Sequence, residues 1–580
     1  MGVVEDLLDR QAALAKDRSQ WEQHWLDVAN YALPNVDRFD RLFNNGAGQI
    51  DGWASGPKGP DRARAIYDTT SLWAVDRGVA GFMSLITPQS ETWHGIASVD
   101  AMTDDVDQET EEWSDRFANY LHKMRNNPQT GFWVSHKSAL RAMWALGTGI
   151  QFVSENLQRG ADAPMSYRYV QLSESYLATN YEGVVDTNFR CFTKTAAQCV
   201  AKWGERCSAD IRAKAADAKT RDRMVELVHA VLPRAERGSG LNSRRNAAWA
   251  EFYFERRTKH VLHEGGFNAF PYVVYHWNQM GHEAYSEGPM ALALAEVKSL
   301  NALSKDALMA SQQAVNPPTA SIDDGFGRVN LNPGKNNPGL MSPEGRLLVQ
   351  PIVTAPRPDF AESILNIKRE QIKESLYVNL WQLLINSPSM TATEALIRAE
   401  EKGQLLGPAA ASLYTGIARL VDVETQYLAD RGAFEPDQPL AVPDTMQGGD
   451  IAVQMDTPLD RMRRSGEVTG MQRTLEFGAT IAQLKQNPKI LEKFDADTML
   501  DTARKVFGAP ASMFKTEEEL AAAREEAAQM EQMMQAMQMA QAGGAAAKAV
   551  GEGAQAVEGS PALAAMAAGA GWRVRPVGRD

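Results

Sequence analysis

The chain of 580 residues, 44% hydrophobic and 23% charged, has the composition of a soluble protein and the length for several domains with sizeable cores. Its formal net charge of −13 argues against a protein that grips nucleic acid by neutralising phosphates, because that mode needs clustered Lys and Arg. No stretch approaches the roughly 20 uninterrupted apolar residues of a transmembrane helix, so no membrane is expected among its partners. The first residues lack a basic n-region and a secretory apolar core, and Asp6 stands where the myristoylation pattern wants Ser or Thr. The chain is therefore expected to remain in a cytoplasm. Cys191, Cys199 and Cys207, an odd number without a CxxC pair, support neither a disulfide framework nor a zinc site and predict buried free thiols.

In chain order, Val4–Pro34 reads as a helix carrying Leu7, Leu14, Trp21, Trp25, Val28 and Leu33, and a Gly-, Asn- and Asp-rich loop follows to about Pro60. Helices are expected over Ser71–Ile86, closed by Thr87-Pro88, over about Asp107–Asn126, and over Phe132–Leu146, ending in Gly147-Thr148-Gly149. From Tyr167 the period changes. Tyr167–Leu172 and Val184–Phe192 look like strands joined through the turn signal Asn180–Gly183. A helix over Lys194–Trp203 closes at Gly204, and strands are expected at Glu226–Leu232, Trp249–Glu255, Val261-Leu262 and Tyr272–His276.

Residues Met290–Val315 are rich in Ala, Leu, Lys and Gln without an interior Gly or Pro, which predicts a helix roughly 40 Å long. Pro289 sits at its first turn, where the missing N–H costs nothing, and Asn316-Pro317-Pro318 ends it. A second helix, Asp359–Ile385, opens on a carboxylate N-cap and carries an apolar stripe of Phe360, Ile364, Ile367, Ile372, Leu376, Leu380 and Leu383. The Pro- and Gly-punctuated stretch between them is long for a structureless insertion. It reads as a projecting module, with short strands at Arg328–Leu331 and Leu347–Val353. After the loop Ser387–Met390, Thr391 and Glu394 fit a capping box. The helix they open runs to Leu406-Gly407-Pro408 and on to about Ala429. A return with a strand at Ile451–Met455 leads to helices at Gly466–Leu484, Lys489–Phe494 and Thr498–Phe507. Thr516–Gln541 is a Met- and Gln-rich helix, and the Ala/Gly-dominated residues 542–580 are expected to be mobile.

The catalytic candidates are weak. Gly327–Asn336 has the outline of a phosphate loop, but its glycine spacing is wrong and Asn336 replaces the Ser or Thr that binds magnesium. His260 and His263, three apart on an expected strand, fall on opposite faces. Asp323-Asp324 and Asp495 with Asp497 are paired acids of the kind usual in solvated turns and caps. Nothing meets the geometry of an acid/base pair or a nucleophile, so neither catalysis nor a cofactor nor a metal is expected.

The run Met390-Thr391-Ala392-Thr393-Glu394, followed by Arg398, Glu400-Glu401 and Leu406-Gly407-Pro408, lies downstream of a helix ending in Asn316-Pro317-Pro318. With Ile66-Tyr67-Asp68, Thr87-Pro88, Trp93, Phe267, Pro271-Tyr272, Trp277, Tyr285 and Gly288-Pro289, it resembles the portal (head-to-tail connector) proteins of short-tailed, podovirus-like bacteriophages. The likeness begins near residue 10, and Ser286-Glu287 departs from the Gly-Arg typical of the family.

The resemblance implies an α+β, predominantly α-helical fold with wing, stem, clip and C-terminal helical crown, assembling as a dodecameric ring with a central channel at one capsid vertex. Residues 1–288 would form the wing, 289–315 and 359–385 the stem helices, 316–358 the clip and 386–391 the tunnel loop. The long wing helix and return strands would span 392–465, the crown 466–541 and a flexible tail 542–580. The implied partners are further copies of the chain, double-stranded DNA passing without sequence specificity, the terminase large subunit, major capsid and scaffolding proteins, and head-tail adaptor or tail proteins. Internal core or ejection proteins are a further candidate. The site would be the virion portal vertex, with the host cytoplasm during assembly.

On that mapping the channel-lining candidates are Glu296, Lys298, Lys305, Lys368, Arg369, Glu370, Lys373 and Glu374. Their near-balanced charges would let DNA slide without being held. Asn386, Ser387, Pro388, Ser389 and Met390 would form a flexible constriction anchored by the Thr391 and Glu394 cap. Asp323, Asp324, Arg328, Lys335 and Arg346 would lie on the clip. The rivals are a phage metal-dependent nuclease using Asp323 and Asp324 or Asp495 and Asp497, and a DNA-binding adaptor with salt-dependent affinity.

Overall fold

The computed structural model describes residues 2–33, 66–98, 108–156, 163–234, 246–316, 319–322, 330, 332–346, 358–379, 392–443, 451–485, 491, 493–507, 513, 520–530 and 532–534. The chain divides into two units, Met1–Ala509 and Pro510–Asp580. In the second, 520–530 and 532–534 are helical. The first unit opens with α1 (Val3–Ala32), α2 (Thr70–Ile86), β1 (His94–Ser98), α3 (Gln108–Asn126) and α4 (Phe132–Leu146). There follow β2 (Thr148–Glu155), β3 (Met165–Val170), β4 (Ser175–Thr179), β5 (Val185–Thr195), α5 (Ala196–Trp203), α6 (Ala209–Ala216), β6 (Met224–Pro233), β7 (Trp249–Glu255), β8 (Val261–Phe267) and β9 (Tyr272–His276). It continues with α7 (Pro289–Val315), β10 (Thr319–Ile322), β11 (Asn336–Met341), α8 (Pro358–Ser375), α9 (Ala392–Asp430), β12 (Ile451–Met455), α10 (Pro458–Leu484) and α11 (Ala496–Phe507). The architecture is mixed α+β, as expected.

A five-stranded antiparallel sheet, in the order β4-β5-β6-β7-β8, is covered on both faces. Val4 and Leu7 of α1 pack on Tyr176, Phe189, Val228 and Phe254, while Cys199 of α5 and Ile211 of α6 pack with Cys207 on Leu227 and Tyr253. All three cysteines are buried free thiols. A second sheet, β3-β2-β9, joins the main core with α2, α3, α4 and the roots of α7 and α9. There Gly78 admits the Trp144 indole, which a Cβ would meet at 2.8 Å. Arg18 crosses between the layers, wholly buried. Its guanidinium donates to the carbonyls of Leu172 at 3.0 Å, Ser173 at 3.2 Å and Ser175, and lies 3.9 Å from the Tyr176 ring centroid. Those bonds replace the water a buried cation loses.

Several expectations need correction. The Asn180–Gly183 turn joins β4 to β5, not Tyr167–Leu172 to Val184–Phe192, because β3 belongs to the other sheet. β2 and β4 escape pattern reading: β2 is buried over most of its length, leaving no polar alternation, and β4 is only 5 residues. α6, with Ser208 as its N-cap, was also unforeseen. α10 starts at Pro458, capped by the Thr457 hydroxyl, rather than at Gly466. Of Lys489–Phe494, the described Leu491 and Lys493 are in 3-10 turns rather than an α-helix.

The loop to Pro60 and residues 542–580 fall outside the described residues. So do the expected strands Arg328–Leu331 and Leu347–Val353, apart from Asn330, which is in no strand. The strands described in this region are instead β10 and β11, paired in parallel.

Candidate functional site

Gly288 fits tightly at the start of α7, where a Cβ would stand 2.7 Å from the Trp144 carbonyl oxygen. From this fixed point Met290, Ala293, Leu294, Val297 and Leu300 are buried, and no residue of α7 after Asn301 is. The helix therefore leaves the core partway along its length. α8 packs beside it and returns, reaching the core at Ile372, Leu376 and Val378. The continuous helix expected to Ile385 is interrupted after Ser375. Leu376 and Tyr377 form a turn with Tyr377 at φ 59°, and its ring lies 5.7 Å from that of Trp277 and 6.3 Å from that of Trp144. Aromatic packing at the root overrides helix propensity here. At the other end, Gly334 N–H donates to the Asn316 carbonyl at 2.9 Å, and the Asn337 amide donates to the Asn330 carbonyl at 3.0 Å.

The charges expected on this pair are mostly matched within the chain. Lys368 bonds Glu296 across the two helices. Lys298 reaches Asp27 of α1 at 2.7 Å, Arg369 reaches Asp68 at 2.9 Å, and Lys373 bonds Glu370 at 2.7 Å. Burial opposes ionisation of Asp68, but hydrogen bonds from Thr70 and then from Arg369 hold its pKa below the ordinary value. Lys305 stands 5.8 Å from the Tyr67 ring centroid. Among the described residues Lys305 and Glu374 make no ion pair. Lys335 and Arg346 are exposed, Lys335 just before β11 and Arg346 in the turn that the Ser342 N–H closes on the Arg346 carbonyl at 2.8 Å. Asp323, Asp324, Arg328, Asn386, Ser387, Pro388, Ser389, Met390 and Thr391 lie outside the described residues, and of Glu394 only its place in α9 is described.

α9 runs unbroken through Gly407-Pro408 and is locked to the body by a group that sequence reading missed. Glu424 and Arg125 of α3 are both fully buried and bonded through Nε at 3.0 Å and through Nη2. The Tyr167 hydroxyl donates to Glu424 Oε1 at 2.5 Å, Arg125 Nη1 lies 2.5 Å from His94 Nε2, and the guanidinium sits 4.5 Å from the Trp93 ring centroid. Burial, then the adjacent Arg125 charge, pushes His94 well below its ordinary pKa, so it stays neutral and accepts. Burial, then Glu424, raises the Tyr167 hydroxyl well above its own. One signal was available: Leu413, Ile417, Leu420, Glu424 and Leu428 recur at helical spacing, placing an acid on a buried stripe.

The catalytic rivals gain nothing from this geometry. Asp495 caps α11, accepting from the Thr498 N–H at 3.4 Å and from its hydroxyl at 2.8 Å. His263 meets Glu251 at 3.4 Å, while His260 Nε2 faces the Arg206 carbonyl at 2.9 Å. No cluster of three metal-ligating side chains occurs among the described residues, and no helix there is long and apolar enough to cross a membrane.

Residues 4–514 match the family model described as bacteriophage head to tail connecting protein. The chain is 26% identical over 537 residues to a probable portal protein of Bordetella phage BPP-1, covering 90% of this chain and 91% of that protein. It is 27% identical over 536 residues to the portal protein of Salmonella phage epsilon15, again covering 90% and 91%. A chain of the solved virion of a native gene transfer agent particle aligns over 73% of this chain and 93% of its own length, at 11% identity and a TM-score of 0.32. The family model's match over residues 4–514 spans both sheets, the α7/α8 pair and the locked α9: the chain belongs to the bacteriophage head-to-tail connecting protein family, the phage portal proteins.

Proposed function

We propose that the chain forms a dodecameric ring at one capsid vertex, through which double-stranded DNA is packaged, retained and ejected, and to which the tail attaches. The observation that carries this is the α7/α8 pair: rooted in the core at one end, free of it at the other, and carrying residues 317–357 between its outer ends. In this reading 289–315 and 359–385 are the stem, 316–358 the clip that meets the terminase large subunit and later the adaptor or tail proteins, and 386–391 the tunnel loop. Residues 1–288 and 392–465 form the wing facing capsid and scaffolding proteins, and 466–541 the crown, with 542–580 its tail and internal core proteins a further partner.

The role is structural. The chain supplies a passage and a platform, and the energy for translocation comes from the terminase. Lys305 and Glu374, which make no ion pair among the described residues, and Glu370, whose pair with Lys373 is exposed on its own side, are the ones DNA would meet. The pairing of Lys298 with Asp27 and of Arg369 with Asp68 suits these two better to bracing the stem against the wing.

Electron microscopy of the purified protein, with particle images classified for rotational symmetry, tests the assignment. Twelvefold rings with a central channel are expected. Compact monomers persisting at high protein concentration would overturn the ring.

A further inference from the structure

Between α4, β3, β5, α5 and β7 lies a cavity of about 730 Å³ that the portal reading does not use. Arg168, Arg190, Lys194 and Lys202 line it, and among the described residues no carboxylate does. Arg190 is paired with Glu174 at 2.8 Å. The other three form no ion pair among the described residues. Two of them rest on rings: Arg168 lies 5.3 Å from the Phe152 centroid, and Lys202 lies 4.4 Å from that of Tyr253 and 4.8 Å from that of Trp203. Burial, then repulsion by Arg168, lowers the pKa of the Lys202 ammonium. Three like charges without a counter-ion around one partly enclosed space oppose one another, and an anion placed among them relieves that opposition.

Two more features converge there. The first turn of α4 lines the cavity through Gly131, Val134 and Ser135, and its N-cap Gly131 supplies no side chain, so apart from the Phe132 N–H, which donates to Thr130 Oγ1 at 3.4 Å, the positive end of a 15-residue helix opens onto it. Ser135 is 4% exposed, and its hydroxyl has no hydrogen-bond partner among the described residues. The volume falls in the range of about 300–1,000 Å³ typical of small-molecule sites, so a bare inorganic anion would leave most of it empty. The remaining wall is aromatic, with Tyr169, Phe192 and Trp203. Rings beside cations are the surfaces on which a nucleobase and its phosphate bind together.

We propose that this cavity binds one nucleotide unit, its phosphate held by Arg168, Lys194, Lys202 and the start of α4, and its base against the aromatic wall. A carboxylate peptide would satisfy the charges but make no use of the rings. The unit can come from a free nucleotide or from the end of a nucleic-acid strand, and the two sources share this chemistry.

Calorimetric titration of the full-length protein at low salt, with thymidine 5′-monophosphate as the probe, tests the proposal. It should bind at least about tenfold more tightly than inorganic phosphate or thymidine, a difference of about 1.4 kcal/mol. Arg168→Glu with Lys194→Glu should weaken it at least about tenfold. Val134→Glu should do the same from a position 77% exposed, where folding is not at stake. A 5′-phosphorylated oligothymidine that binds more tightly than the mononucleotide identifies a strand end; equal affinity identifies the free nucleotide. Phosphate binding as tightly as the nucleotide, hexaglutamate displacing it equally well, no saturable binding, or unchanged affinity in Val134→Glu would each overturn the site. Ring formation is unaffected by any of these outcomes, so this proposal can fail without the portal reading.

Discussion

Around Glu424 the buried charges are matched within the chain, whereas the ion pairs near the roots of α7 and α8 are partly exposed and farther out apolar side chains stand in solvent. Leu303, Leu308, Met309 and Val315 of α7 and Ile367 of α8 are all exposed. Scattered surface hydrophobics need no explanation. A series of them along two packed helices that have left the core is a surface awaiting cover. One region is finished by a single chain. The other, on the ring reading, is finished by neighbouring copies, so damage to the first should show in the isolated subunit and damage to the second only in assembly.

The largest effect is expected at Glu424. Glu424→Leu leaves the buried Arg125 without its counter-charge and should cost about 3–5 kcal/mol, seen as an earlier urea transition in tryptophan fluorescence. Arg125→Met combined with Glu424→Leu should recover most of that loss, because two apolar side chains can replace a buried pair at little cost. A single change costing under about 1 kcal/mol would show that the ion pair does not hold α9 in place.

Substitutions along α7 sharpen the contrast. Leu300 is 2% exposed and Leu308 49%. Leu300→Ala should destabilise the isolated subunit by about 2–5 kcal/mol. Leu308→Ala should change it by no more than about 0.5 kcal/mol while lowering the yield of rings in electron micrographs. Equal loss of subunit stability from both would mean that the outer half is already covered within the chain.

The same division governs what the sequence could tell. α7 and α4 were legible almost to the residue, because Gly288-Pro289, Asn316-Pro317 and Gly147 carry local stop and start chemistry. β7, β9 and β12 were legible because short β-rich runs lay between breakers. What failed was set by distant partners. β2 hides its period by being buried on both faces, and Ser375 ends α8 because Trp144 and Trp277, far away in sequence, seat Tyr377. Lys298 and Arg369 looked like surface charges of a helix, and their acids, Asp27 and Asp68, lie in segments nothing local connects to them. Composition and capping located the α7/α8 pair, but the Arg125 and Glu424 lock joins residues 299 apart, a pairing that no local pattern shows.

Acid should expose the interior next. Burial, aided in turn by Arg125 and Arg419, lowers His136 to about 3 and His276 to about 4, and burial against the pull of Glu251 lowers His229 to about 4. Their folded pKa values lie below the ordinary 6.5, so the unfolded chain takes up protons first and stability falls as pH drops from about 6.5 towards 4. Glu251, lowered to about 2 by hydrogen bonds from His229 and His263 despite burial, adds a loss from about 4.5 downwards. His229→Gln should flatten the stability profile by up to about 1.4 kcal/mol per pH unit between about pH 6 and 4.5. Leu308→Ala should leave that slope as it is.

The smallest effect on the subunit is expected from Glu370→Lys with Glu374→Lys. Glu370 is 62% exposed on its side chain, and its pair with Lys373 is of the kind that contributes about 0–1 kcal/mol, so the unfolding transition should hardly move. If this face lines the channel, however, each copy gains two cations where phosphates pass. Contacts that were repulsive become attractive and salt-dependent. DNA packaging into heads carrying the altered ring should then slow, and slow most at low ionic strength. A normal packaging rate at every salt concentration would place Glu370 and Glu374 away from DNA. It would leave this face of α8 as an assembly contact alone.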